Sequence, residues 1–190
     1  MRKPGAGFIP SRSLSAQMLF AIFQEIKSVN EMEAVVEQPA LTDYERERGK
    51  PMPSFNHSVI QARLSKEILV NYEDQFTVSS ELSLDATTPP TVPDLCIYPE
   101  TPMNWLEDQV SVSRVPLTVI EIISPSQTVT ELTRKAQLFF TVGVASYWLV
   151  QPTFRSVVIL QPNAEELIFH NDTLTDPTTG ISIDLKKVFR

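Results

Sequence analysis

The feature that most restricts the fold of this chain is the run Leu117-Thr-Val-Ile-Glu-Ile-Ile123. It is short, rich in β-branched residues, and closed by the turn residues Ser124-Pro125. A continuous apolar run of this length, bounded by a turn signal, predicts a strand buried on both faces. Such strands occur in sheets covered by other elements on both sides. Glu121 conflicts with that setting, because an ionised carboxylate is costly to bury unless it is paired or holds a cation. It either faces water from an edge strand, pairs with an arginine, or serves a function. We favour the functional reading, since charged residues are seldom left inside apolar runs.

The pattern around this strand predicts a mixed α/β (α+β) domain with a central sheet flanked by helices. Ile60, Leu64, Ile68 and Leu69 form a helical stripe between His57 and Tyr72. Residues Phe76 to Leu84 alternate like one strand, and Leu95 to Tyr98 form another. Residues 129–142 read as a helix stopped by Gly143, a residue suited to the left-handed position after a helix. Strand signals follow at Tyr147 to Gln151, Val157 to Gln161, Leu167–Phe169 and Ile181–Leu185. Ahead of this domain, taken as residues 31–190, Leu14, Met18, Ile22 and Ile26 recur at helical spacing. They predict an amphipathic helical extension over residues 1–30.

Composition narrows the chemistry. One cysteine, Cys96, excludes an internal disulfide framework and a multi-cysteine zinc site. With two histidines, His57 and His170, a His-rich metal centre is also disfavoured. Any metal would then fall mainly to oxygen ligands. No apolar run approaches the roughly 20 residues of a membrane helix, and a cleavable leader is a weak reading of the start. A cytoplasmic protein is the expectation. The net charge of −7 opposes a broadly basic nucleic-acid coat. It is uneven: residues 1–30 carry four basic side chains and one acid, so the remainder is more acidic still.

Asp94 follows Pro93 at the mouth of the Leu95 strand, where a turn residue is the ordinary explanation. Beside Glu121 on a neighbouring strand, it would complete a pair of hard oxygen ligands of the kind Mg²⁺ receives. Lys135 lies four residues after Glu131 on the predicted helix, and spacing alone favours an exposed surface pair. Glu45 sits in the charge run Tyr44-Glu-Arg-Glu-Arg48, which by itself reads as solvated. His57, one histidine without His or Cys partners, reads as structural and begins or caps its helix.

These residues come in a recognisable order: Pro93-Asp94-Leu95, then Val119-Ile-Glu-Ile-Ile-Ser-Pro-Ser126, Lys135, Gly143-Val144, and Tyr147-Trp-Leu-Val150 with Pro152. Tyr44-Glu45, Gly49 and the helix opening at His57 precede them. The ordered set resembles the Uma-two family of restriction-endonuclease-like proteins, over roughly residues 35–185. That resemblance implies a restriction-endonuclease-like core of the PD-(D/E)xK nuclease superfamily. It places the superfamily's acidic positions on Asp94 and Glu121. The lysine usually found two residues after the glutamate is replaced by Ile123, and the resemblance assigns its role to Lys135. It likewise assigns an upstream acid to Glu45. The family often has Asp at Glu131, Tyr at Phe139 and Asp at Gln151, so the surroundings of the site depart from its pattern.

By this resemblance, Glu45, Asp94, Glu121 and the Ile122 carbonyl hold Mg²⁺ or Mn²⁺, and Lys135 orients water or stabilises developing charge. The implied reaction is metal-dependent cleavage of DNA. Arg46, Arg48, Lys50 and Arg134 are the main candidate phosphate contacts, with Arg63 and Lys66 as further ones. The implied partners are DNA and a second copy of the chain. The competing expectation is an inactive nuclease-like fold that binds DNA or protein, or a homodimeric accessory protein of a mobile element.

Overall fold

A computed structural model describes residues 52–125, 127–163 and 165–190. The expected extension over residues 1–30, and Glu45, Arg46, Arg48 and Lys50, lie outside the described residues.

The first described helix, α1 (Phe55–Tyr72), starts where the Ser54 side chain accepts the His57 amide at 3.3 Å. That contact satisfies one of the donors a helix N-terminus leaves open. Its stripe of Ile60, Leu64 and Ile68 is buried, as the spacing predicts. The chain then forms β1 (Phe76–Ser80), β2 (Ser83–Leu84), β3 (Leu95–Pro99), β4 (Ser111–Val112) and β5 (Thr118–Ile122). Helix α2 (Val129–Thr141) begins with a reciprocal box between Thr128 and Glu131, and Gly143 follows it at φ +103°. A side chain is strained at that angle, which accounts for the glycine. Strands β6 (Ser146–Gln151), β7 (Ser156–Leu160), β8 (Glu166–His170), β9 (Thr173–Thr175) and β10 (Ser182–Asp184) precede α3 (Leu185–Val188).

Six strands form one mixed sheet in the order β1-β3-β5-β6-β7-β8. Within this sheet β5 and β6 pair in parallel, with α2 as their crossover, and the other neighbours are antiparallel. Alternation divides the core into two layers. Leu95, Ile97, Ile120, Ile122, Trp148 and Val150 pack with α1, β10 and α3. Cys96, Tyr98, Val119, Tyr147 and Leu149 pack with Leu132, Ala136 and Phe139 of α2. The predicted mixed α/β architecture is therefore present.

Two readings need correction. The expected strand from Phe76 to Leu84 is broken into β1 and β2 at Glu81, whose φ is +58°. A non-glycine residue in the left-handed region ends ladder pairing there. β5 is no edge strand, because β3 and β6 flank it. Glu121 is 2% exposed, so it does not face water.

Candidate active site

The carboxylates are brought together by strand register. In the β3–β5 ladder Leu95 faces Ile120 and Cys96 faces Val119, so one further step sets Asp94 opposite Glu121. In the β1–β3 ladder Ser80 faces Leu95, and the Glu81 amide donates to the Asp94 carbonyl at 3.3 Å. Asp94, just before β3, is thus set opposite Glu121 of β5, while Glu81, just beyond β1, lies against the Asp94 backbone. Directly opposite residues of neighbouring strands have Cβ atoms about 5 Å apart.

Asp94 is 2% exposed, and its Oδ2 accepts the Ile122 amide at 2.7 Å. That bond ties the first carboxylate to the backbone beside the second. Glu121 receives Lys135: Nζ stands 2.6 Å from Oε1, with the lysine side chain 28% exposed. The expected Glu131–Lys135 surface pair does not form. Glu131 is engaged in the α2 cap, and Lys135 crosses from helix to strand. Among the described residues Glu121 pairs with this lysine, and it does not face water.

The negative field of the pair is felt nearby. Burial, reinforced by the Glu121 charge, pushes the Cys96 thiol up to about 12. Burial and then the Glu121 and Asp94 charges hold the Tyr147 phenol well above its ordinary range. Tyr147 stacks on Phe139, with ring centroids 5.9 Å apart, and so stands as a neutral wall of the site. Buried carboxylates in this proximity favour a cation.

On the α1 side, His57 is buried at 3% exposure. Its Nδ1 lies 2.9 Å from the Ser124 hydroxyl, and its Nε2 lies 3.2 Å from Asp94 Oδ1 without satisfying hydrogen-bond geometry. Ligand atoms of His57, Glu81 and Asp94 all fall within 4.8 Å of one another. Gln61 braces this side, donating to the Asp94 carbonyl at 3.0 Å and to Glu81 Oε1 at 3.4 Å.

Asp94, Glu121, Ile122 and Lys135 are therefore brought together, Ile122 through its amide. Arg134 is exposed on α2 next to Lys135 in the chain. Arg63 is directed elsewhere, donating to the carbonyls of Val188 and Arg190. Glu81 and Ser124 do not stand out in the sequence, and His57 reads there as structural. The signal for Glu81 is its place immediately after a strand that pairs with the Asp94 strand, which requires the sheet order.

Among the described residues no helix is long and apolar enough to cross a membrane. No curated protein matches the chain. Among solved structures it is similar to a putative nuclease belonging to DUF820 from Anabaena variabilis ATCC 29413. The TM-score is 0.62 at 24% identity, covering 73% of this chain and 83% of that one, and this likeness speaks for the fold. The family profile described as Uma2, putative restriction endonuclease, matches residues 31–186. Extending over most of the chain, that match means that this protein belongs to the Uma2 family.

Proposed function

We propose that the protein is a metal-dependent endonuclease that hydrolyses phosphodiester bonds of DNA, of the PD-(D/E)xK type with its lysine on α2. The observation that carries this reading is Lys135 Nζ at 2.6 Å from Glu121, itself in register with Asp94. A lysine paired to Glu121, which stands opposite Asp94, supports this reading although Ile123 occupies the usual lysine position.

The donor set suits a hard divalent cation. Two carboxylates and a carbonyl are oxygen ligands of the kind Mg²⁺ and Mn²⁺ take. Asp94, Glu121 and the Ile122 carbonyl would hold it, with Glu45 as a further ligand. When bound, such an ion supplies Lewis-acid stabilisation of charge on a phosphoryl oxygen. The Ile122 amide fixes the Asp94 carboxylate through its Oδ2. Lys135, partly open to solvent, places an ammonium where it orients an attacking water or stabilises charge that develops on the phosphate. Arg134, with Arg46, Arg48 and Lys50, would position the backbone as point charges. A homodimer would present two such sites to a duplex.

The test is cleavage of plasmid and single-stranded DNA with Mg²⁺ or Mn²⁺ by the parent, Asp94→Ala and Glu121→Ala. Cutting by the parent and loss in both variants is expected. Variants that cut like the parent would refute the site. Retained DNA binding without cutting by the parent would favour the inactive, DNA-binding alternative.

A further inference from the structure

We infer that His57, Glu81 and Asp94 form a cation position with a nitrogen ligand, on the α1 side of the Asp94–Glu121 pair, selective for Mn²⁺-class ions over Mg²⁺. This deepens the metal-dependent reading and rests on it only for what the ion does.

Three observations carry the inference. His57 Nε2 is a buried polar atom without a hydrogen bond, and it is directed at Asp94 Oδ1. A buried nitrogen left in that state costs free energy unless something else satisfies it. Second, the candidate ligand atoms of His57, Glu81 and Asp94 share a region within 4.8 Å. That is close enough for one ion to touch all three after small adjustments, given metal–ligand bonds of about 2.0–2.2 Å. Third, the other ring nitrogen is already held. Nδ1 lies 2.9 Å from the Ser124 hydroxyl, and when it carries the proton it donates there and leaves the Nε2 lone pair for a cation between the imidazole and Asp94. A histidine ligand is commonly oriented through its second nitrogen in this way.

The two sides of Asp94 also differ in chemistry. Oδ2 accepts the Ile122 amide, whereas Oδ1 faces His57. The Glu121 side offers oxygen ligands only. The His57 side adds an imidazole, which suits Mn²⁺, Co²⁺ or Zn²⁺ better than Mg²⁺, a cation that prefers oxygen and retains water.

The experiment is pulsed electron paramagnetic resonance of the full chain carrying one equivalent of Mn²⁺, with calorimetric titrations of Mn²⁺ and Mg²⁺. Nitrogen-14 modulation from a coordinated imidazole is expected in the parent and in His170→Gln, and should be lost in His57→Gln. Mn²⁺ should bind at least about tenfold more tightly than Mg²⁺, and His57→Gln should remove most of that preference. Ser124→Ala should weaken Mn²⁺ by about tenfold. Should His57→Gln fail to fold, His170→Gln protein made with nitrogen-15 histidine leaves His57 intact, and its modulation must move to nitrogen-15 frequencies. Absence of modulation in the parent, or its survival in folded His57→Gln, overturns the inference. DNA cleavage without nitrogen modulation would sink this inference and leave the nuclease reading standing. Modulation without cleavage would do the reverse.

Discussion

Replacing Lys135 by Met keeps most of the side chain's packing but removes its charge. Glu121, 2% exposed, then loses the ammonium 2.6 Å away. Breaking a fully buried pair by deleting one partner costs about 3–5 kcal/mol, whereas an exposed pair is worth about 0–1 kcal/mol. Lys135 is 28% exposed, and Glu121 keeps other interactions, so an intermediate cost of about 2 kcal/mol follows. In a domain of this size each kcal/mol shifts Tm by roughly 2–4 °C, which gives a loss of about 4–8 °C. The assay is thermal unfolding without divalent ions, repeated with Mn²⁺. The added cation should recover more stability in Lys135→Met than in the parent, because it replaces a missing positive charge. The double variant Glu121→Gln/Lys135→Met should be clearly more stable than the two single losses summed, since the charge that needed a partner is gone. A Tm within about 1 °C of the parent would show that Lys135 does not hold Glu121, and the electrostatic reasoning for the site would fail with it.

Other outcomes follow from the same structure. Asp176 is fully buried and accepts Trp148 Nε1–H at 3.0 Å, the Thr118 hydroxyl at 3.2 Å and the Thr178 amide at 2.8 Å. Asp176→Ala strands these donors in the core and should cost about 2–4 kcal/mol, read from the urea midpoint together with Trp148 fluorescence. Cys96, held protonated up to about 12, should resist thiol reagents at pH 8 until the chain is unfolded. Its folded-state proton is held more tightly than the unfolded one, so its contribution to stability is complete below about pH 9 and lost as pH rises toward 12. Denaturant unfolding at pH 8 and pH 10.5 should therefore differ less in Cys96→Ala than in the parent.

Elements with strong local periodicity are legible in the amino-acid sequence. The α1 stripe, the α2 stop at Gly143 and the apolar β5 run each state their own geometry within a few residues. β4 and β9 are not legible there, because so few residues carry no period, and β10 is legible only as part of the longer run Ile181–Leu185. The false continuity from Phe76 to Leu84 has the same origin: alternation persists across Glu81 although the backbone turns there. At the site, Asp94 and Glu121 stand out because a carboxylate conflicts with its local surroundings. Lys135 does not, since spacing points equally well to Glu131 and the choice between the two glutamates depends on how α2 lies over β5.

That a strand buried on both faces carries an acid, inside a sheet covered by helices, follows from the order of the residues alone. Hydrophobic burial and backbone pairing act over short stretches, so those statements need no knowledge of neighbours. What that acid meets is settled by tertiary packing. Register between β3 and β5 set Asp94 opposite Glu121, the backbone just beyond β1 put Glu81 against Asp94, and the crossover through α2 delivered Lys135. The first turn of α1 brought His57 to the other side of Asp94. Electrostatic partners are chosen by distance in space, and distances between elements far apart in the chain are set by packing alone.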